Sequence, residues 1–134
     1  MIKVEKFSKA FGKTDAVHEL TFNLRSGEVL GLLGPNGAGK TTTLRAIAGV
    51  LRADKGSISV GGFNVEKNPV EAKKLLAYLP DQSIFFEHLT CWEHVRFIGS
   101  VYEFADWENR ANSLFERFEL KKKKTVWHLN YQKE

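Results

Sequence analysis

The sequence of 134 residues has one cysteine, three prolines and no apolar run near the ~20 residues that a membrane-spanning helix requires. A lone cysteine, Cys91, cannot form an internal disulfide and suits a reducing cytosol. The first residues, MIKVEKFSKAFGK, lack the apolar stretch of a secretory signal peptide, so no such signal is expected. Disulfide-rich secreted domains and integral membrane proteins are therefore excluded, and the length predicts one domain.

The sequence also has little excess charge. Its formal net charge is +4, and the lysine run at residues 121–124 supplies all of it. A nucleic-acid-binding surface would spread basic residues along a face of the protein, so no nucleic-acid partner is expected. The lysine run predicts a solvated surface segment, with a phosphate-binding patch as the alternative.

The first part of the chain has the patterns of β-strands. Residues 2–4 and 20–24 alternate apolar and polar side chains, which predicts a half-exposed antiparallel layer, and residues 58–60 predict a further hairpin strand. Residues 29–33 and 75–79 are almost entirely apolar, which is typical of strands buried on both faces.

The later part of the chain has helical patterns. Apolar side chains recur at helical spacing over residues 41–51, 95–102 and 107–118. Thr90 and Glu93 stand at the spacing of a capping box, which predicts that a helix begins there. The chain thus reads as an α/β fold that begins with strands and ends with helices.

Between the apolar run at 29–33 and the first predicted helix lies a glycine-rich loop. Residues 34–41, GPNGAGKT, fit the pattern G-x-x-x-x-G-K-[ST] of a phosphate-binding loop. Glycines permit positive φ and leave backbone N–H groups open to an anion, and the following helix directs its N-terminal amides at the same point. The candidate nucleotide-binding residues of this loop are Gly34, Pro35, Asn36, Gly37, Ala38, Gly39, Lys40, Thr41 and Thr42.

Three side chains of the loop have predicted roles with a nucleotide triphosphate. Lys40 bridges the β- and γ-phosphates, the Thr41 hydroxyl holds Mg²⁺, and Thr42 donates to the α-phosphate. A simple hairpin turn at Asn36-Gly37 is the bland alternative, but strand alternation does not resume on either side of it.

The stretch GLLGPNGAGKTTTLRAIAGVLRADKGSISVGG strongly resembles the ATP-binding subunits of ABC transporters. The resemblance implies the P-loop NTPase fold of the ABC ATPase type, with ATP and Mg²⁺ as ligands. It implies antiparallel strands plus a P-loop core over residues 1–82 and a helical subdomain over 83–134. It also places Phe11 where an aromatic ring stacks on adenine, and Val17 where an apolar side chain lies nearby.

The resemblance extends into the segment after residue 79. The family has a glutamine that approaches Mg²⁺ and the attacking water; here Asp81 stands in that place and Gln82 follows it, and either residue fits the role. Ile84-Phe85-Phe86 then lies where the family receives the coupling helix of the membrane subunit. The alternative is that these three side chains fold back onto the core. The four histidines have no metal-ligand spacing; they are His18, His88, His94 and His128.

The resemblance stops short of three family features: the LSGGQ-type signature, the Walker B strand that ends in Asp-Glu, and the switch histidine. The expected fold is therefore an ABC ATPase domain truncated before the Walker B strand. This chain alone is expected to bind ATP but not to hydrolyse it. Its expected place is the cytosolic face of a membrane, and its expected partners are a permease and a second nucleotide-binding subunit. Whether the chain is an enzyme stays open, although the family is an ATPase.

A phosphate-binding loop is also compatible with three other functions. The first is a truncated module that holds nucleotide or a partner without turnover, and the second is a soluble ABC protein acting on ribosomes or DNA. The third is another P-loop enzyme, but neither a kinase lid pattern nor the Asn-Lys-x-Asp motif of GTPases is present.

Overall fold

A computed structural model describes residues 1–80, 86 and 88–125. The chain divides into two compact units, Met1–Leu79 and Pro80–Glu134, and each is described by itself. The domain boundary predicted between residues 82 and 83 lies outside the described residues and stays a prediction.

The first unit contains a four-stranded antiparallel sheet in the order β2-β1-β3-β4. The central strand β1 pairs on one side with β2 and on the other with β3, so that Val4 lies opposite both Phe22 and Ile58. The strands predicted at 2–4, 20–24 and 58–60 are confirmed, and each is longer than predicted. Their bounds are β1 Ile2–Phe11, β2 Thr14–Leu24, β3 Lys55–Val60 and β4 Phe63–Asn64.

Two helices of the first unit, α1 (Lys40–Ile47) and α2 (Pro69–Lys74), contribute to the hydrophobic core of the sheet. Helix α1 ends four residues earlier than predicted, because Gly49 has a φ of 65°. Leu51 still packs against the core from outside the helix, which explains why the apolar spacing continues past the helix end. The buried core consists of Val4, Phe7, Ala46, Ile47, Ile58, Val60, Val65 and Ala72.

The two segments predicted as buried strands are not strands. Residues 29–33 and 75–79 form no ladder, and Val29, Leu33 and Leu79 are 99%, 95% and 87% exposed. A strand that is apolar on both faces requires a hydrogen-bonded neighbour and a covering layer. Within the described residues no strand supplies that neighbour, so both predictions are wrong for this structure.

The second unit is built from α3 (Cys91–Val101), α4 (Trp107–Arg117) and a 3₁₀ turn (Lys121–Lys123). The predicted capping box is confirmed: the Glu93 N–H donates to Thr90 Oγ1 over 3.3 Å, and the Thr90 N–H donates to Glu93 Oε2 over 2.8 Å. The two helices meet through the Trp92 ring, whose centroid lies 5.4 Å from that of Trp107 and 5.6 Å from that of Phe115.

The lysine run at 121–124 is only partly solvated. Lys121 Nζ lies 2.6 Å from a carboxylate oxygen of Glu116, in an exposed ion pair. Lys124 is half-buried: its ammonium lies 4.2 Å from the centroid of the Trp92 ring and donates to Asn112. The run therefore helps to close the end of the α3–α4 pair. No helix in the described ranges is long and apolar enough to cross a bilayer.

Candidate nucleotide-binding site

The glycine-rich loop depends on positive φ angles. Gly34, Gly37 and Gly39 have φ values of 151°, 87° and 79°, a region that side chains with a Cβ rarely enter. The Ala38 N–H donates to the Pro35 carbonyl over 3.2 Å and closes a turn inside the loop. The loop is therefore a folded turn that leads directly into α1.

Gly39 is seated against strand β2. A Cβ at this position would lie 2.3 Å from the Ala16 carbonyl oxygen and 2.7 Å from Val17 Cγ2, so only glycine fits. Gly39 is also the N-cap of α1 and makes no side-chain cap hydrogen bond. Because no side chain caps the helix, its first amides remain available to a ligand.

Thr43 anchors the loop from beneath. Thr43 is 2% exposed; its hydroxyl donates to the Gly39 carbonyl over 2.9 Å, and its N–H donates to the same oxygen over 2.8 Å. This role of Thr43 was not predicted from the sequence. Its signal was the spacing of four residues to Ile47, which puts both on the buried face of α1.

Lys40 lies across the loop. Its Nζ donates to the carbonyl oxygens of Gly34 and Pro35, each over 2.6 Å. Thr41 is exposed and Thr42 is half-buried. A cavity of about 200 Å³ brings together seven predicted residues, Asn36, Gly37, Ala38, Gly39, Lys40, Thr41 and Thr42.

The electrostatics of this cavity favour an anion. Residues 34–42 contain no acidic side chain, and the first turn of α1 has none. The Lys40 ammonium and the positive end of the α1 dipole therefore act together on the same small volume. The arrangement can hold phosphate oxygens by backbone amides and one cation.

A larger cavity of about 480 Å³ adjoins Lys40 and Thr41. Its lining is mainly apolar, and it runs along the two segments that form no strand. The apolar lining includes Ile2, Phe22, Leu30, Leu32, Leu44 and Leu76. This composition suits an apolar polypeptide segment better than a phosphate.

The predicted base-binding residues lie on the β1–β2 hairpin. Phe11 ends β1 beside the turn and is 53% exposed. Val17 is half-buried on β2, packs against the core and lies beneath Gly39. The hairpin that carries Phe11 therefore also supports the phosphate loop.

Asp81, Gln82, Ile84 and Phe85 lie outside the described residues. Phe86 is described and is 57% exposed, and its N–H donates to His94 Nε2 over 2.8 Å. Its ring stacks on that of His94, with centroids 5.7 Å apart, and meets Phe97 edge-on. In the described part of the chain, no group of three or more His, Cys, Asp or Glu side chains is placed to hold a metal ion.

Comparison with known proteins identifies the family. The ABC transporter family model matches residues 17–133. The linearmycin resistance ATP-binding protein LnrL of Bacillus subtilis (strain 168) is 40% identical over 102 residues, which cover 76% of this chain and 33% of LnrL.

Two solved structures of ATP-binding proteins also match this chain. An ATP-binding subunit of an ABC transporter is 30% identical with a TM-score of 0.83, covering 94% of this chain and 53% of its own. The ATP-binding cassette MJ0796, solved as a dimer with ADP and Pi, has a TM-score of 0.79. The match covers 96% of this chain and 62% of MJ0796. Because the two are only 19% identical, this likeness shows the fold alone.

This chain thus spans between a third and two thirds of the length of these proteins. The predicted fold class, a P-loop NTPase of the ABC ATPase type, is confirmed. Since the family model covers most of the chain, the chain belongs to the ABC transporter ATP-binding family.

Proposed function

We propose that this chain is the phosphate-holding part of an ABC transporter ATP-binding subunit, which couples ATP binding and hydrolysis to transport. The observation that carries the proposal is the position of the Lys40 ammonium, held by two carbonyls beside a cavity lined by the loop and the start of α1. One cation beside the uncapped N-terminus of α1 suits the oxygens of a polyphosphate.

Lys40 binds by exchanging partners. Its ammonium leaves the carbonyls of Gly34 and Pro35 and donates to the β- and γ-phosphate oxygens. Both sets of bonds use the charged ammonium, but phosphate oxygens add the attraction between opposite charges, so the exchange favours the anion over the neutral carbonyls. Thr43 keeps its bonds to the Gly39 carbonyl, so the loop base stays in place.

Thr41 and Thr42 complete the phosphate site in this proposal. Thr41 is exposed and lines the cavity, and its hydroxyl would be an oxygen ligand for Mg²⁺; Thr42 lines the same cavity and would donate to the α-phosphate. Mg²⁺, when bound, neutralises charge on the phosphate oxygens. Asp81 or Gln82 is the further candidate for the metal and the attacking water.

Phe11 and Val17 hold the base in this proposal. The exposed Phe11 ring offers a π-face for stacking on adenine, and Val17 adds an apolar contact beside the loop. The β1–β2 hairpin carries Phe11 and also supports the phosphate loop. The distance between the base-binding and phosphate-binding residues is therefore set by this hairpin.

The partners are proposed from the family. Residues 84–86 receive a helix of the permease on the cytosolic face of the membrane, and the exposed Phe86 ring supports that role. MJ0796, which is described as a dimer, supports a second nucleotide-binding subunit as a partner. The printed sequence has no signature and no Asp-Glu strand, so we expect this chain by itself to bind ATP with negligible hydrolysis.

Calorimetric titration with Mg-ATP tests the proposal. We expect measurable binding to the wild-type chain and loss of at least about 100-fold in affinity for Lys40→Ala, since two charge-assisted bonds disappear. Lys74→Ala removes the same charge from the exposed end of α2 and is the matched control. Equal heats for wild type and Lys40→Ala would refute the assignment.

A phosphate-release assay tests the second half of the proposal. We expect no release above background from the chain alone. Turnover that disappears in Lys40→Ala would show instead that this chain carries its own complete hydrolytic site.

A further inference from the structure

Asp54 binds the end of strand β1 at three points. It lies just before β3, and its carboxylate accepts from Lys9 Nζ over 2.7 Å and from the Ala10 N–H over 2.8 Å. Its own N–H donates to the Ser8 carbonyl over 3.0 Å. One residue therefore fixes the three positions that directly precede Phe11.

The ladder around these positions is irregular. The pairing of β1 with β2 shifts register on both sides of Lys9, and the pairing of β1 with β3 shifts between Glu5 and Ser8. The regular ladder is therefore interrupted beside Lys9 as the chain approaches Phe11. The three bonds to Asp54 constrain the chain at this interruption, together with the strand pairs Ala10–Asp15 and Phe11–Thr14 that follow it.

Lys9 connects this contact to the Phe11 ring. Its side chain is only 14% exposed, and its ammonium lies over the ring of Phe11, 5.8 Å from the centroid. A largely buried ammonium requires a partner, and Asp54 provides one. The cation lies over the ring, and Phe11 is still 53% exposed, which leaves surface for contact with a planar ligand.

The same hairpin fixes the distance to the phosphate loop. Phe11 pairs with Thr14 across the turn, and farther along β2 the backbone of Ala16 meets Gly39. The Ala16–Gly39 contact does not involve β1, so a local change of the Phe11 ring orientation at the end of β1 leaves this support of the loop in place.

We propose that Asp54 and Lys9 are positioning residues that hold Phe11 in the orientation in which it stacks on the base of the bound nucleotide. The proposal rests on the proposed function, in which Phe11 contacts adenine. It predicts that the pair affects the binding of the base and leaves the binding of the phosphates unchanged.

Two ligands separate these effects: Mg-ATP, and Mg-tripolyphosphate, which has the phosphates without the base. Phe11→Ala removes the ring and therefore measures its whole contribution to ATP binding. We expect a loss of about 10-fold or more in ATP affinity, because stacking on the base is lost. We expect Asp54→Asn and Lys9→Met each to weaken ATP about threefold, within the range of a cation–π contact, with tripolyphosphate affinity unchanged. Lys9→Arg, which keeps the cation, is expected to restore ATP affinity.

The chain offers a matched control in a second ion pair on β1. Lys3 Nζ and a Glu5 carboxylate oxygen are also 2.7 Å apart, near the other end of the strand. Lys3→Met and Glu5→Gln are expected to leave the affinity for both ligands unchanged. Tripolyphosphate binding also reports that each variant is folded.

Two results would overturn the proposal: equal loss for both ligands, which is the mark of a general structural role, or unchanged ATP affinity in both Asp54→Asn and Lys9→Met. Failure of the proposed function has a different signature. In that case Lys40→Ala binds both ligands as the wild type does, or Phe11→Ala leaves ATP affinity unchanged.

Discussion

In the first unit, the sheet and the two apolar segments that form no strand, residues 29–33 and 75–79, differ in the burial of their side chains. Val4 and Phe7 in β1 are completely buried, whereas Val29 and Leu33 are almost completely exposed. All four side chains are apolar, so composition does not explain the difference. The strand β1 has partners on both edges, and residues 29–33 have none among the described residues.

The contrast shows what each kind of strand requires. An antiparallel strand obtains its neighbour through a short turn, as β1 does with β2. An apolar strand of the parallel type depends on neighbours that are distant in sequence and on layers over both faces. The apolar cavity of about 480 Å³ runs along these segments, and among the described residues no strand pairs with them there.

The largest expected effect comes from truncating the same residue type in the two regions. Val4→Ala is expected to lower the free energy of unfolding by about 2 kcal/mol, because it removes two buried methyl groups and leaves a cavity. Val29→Ala, at a side chain that is 99% exposed, is expected to change it by less than about 0.5 kcal/mol. Urea denaturation followed by far-UV circular dichroism measures both. Equal losses would mean that residues 29–33 are covered in solution.

An intermediate effect is expected from charges on the exposed segment. Uncovered apolar segments favour association between molecules. The double variant Val29→Lys with Leu33→Lys is therefore expected to weaken self-association and to raise its dissociation constant about 10-fold. Analytical ultracentrifugation over a range of concentrations measures this constant.

The control for that experiment adds the same two charges elsewhere. Asn23→Lys with Ser26→Lys places them at exposed, polar positions at and after the end of β2. We expect this variant to associate as the wild type does. An identical response of both variants would show that net charge, and not the apolar surface, controls association.

The smallest expected effect is a pH dependence to which the sheet region contributes and the two apolar segments do not. Hydrogen bonds from the Lys9 ammonium and then from the Ala10 amide hold the pKa of Asp54 below its usual range. Because the pKa is lowered in the folded state, the stabilisation is complete above the unfolded value of about 3.9 and is lost as pH falls through the folded value. Residues 29–33 and 75–79 contain no acidic side chain and add nothing to this dependence.

Urea midpoints between about pH 5 and about pH 2.5 measure this contribution, since this range begins above the unfolded pKa of about 3.9 and extends well below it. Asp54→Asn is expected to lose less stability than the wild type over this range. Asp15→Asn makes the same charge change at an exposed position on β2 and is the control. A wild-type slope that Asp54→Asn leaves unaltered would contradict the prediction.

Sequence reasoning succeeded where the signals were local. The capping box needs only Thr90 and Glu93, and the hairpin strands need only alternation and a short turn. The contiguous loop motif likewise predicted seven residues that line one cavity, although their roles toward a nucleotide stay predictions.

Prediction from the sequence failed where the interacting residues are distant along the chain. Asp54 lies 44 residues from Ala10, and nothing in either local sequence shows that they bond. The strands predicted at 29–33 and 75–79 were wrong because their burial depends on neighbouring strands, which periodicity does not report. Apolar composition establishes the need for cover and does not establish that the cover is there.

The bonds of Lys40 have a consequence for the thermodynamics of ligand capture. Because the ammonium already ties the carbonyls of Gly34 and Pro35 together, the loop gives up most of its conformational entropy during folding. An arriving ligand then meets a preorganised receptor and swaps one set of acceptors for another. Much of the entropic cost of ordering the loop is thereby met before the ligand arrives.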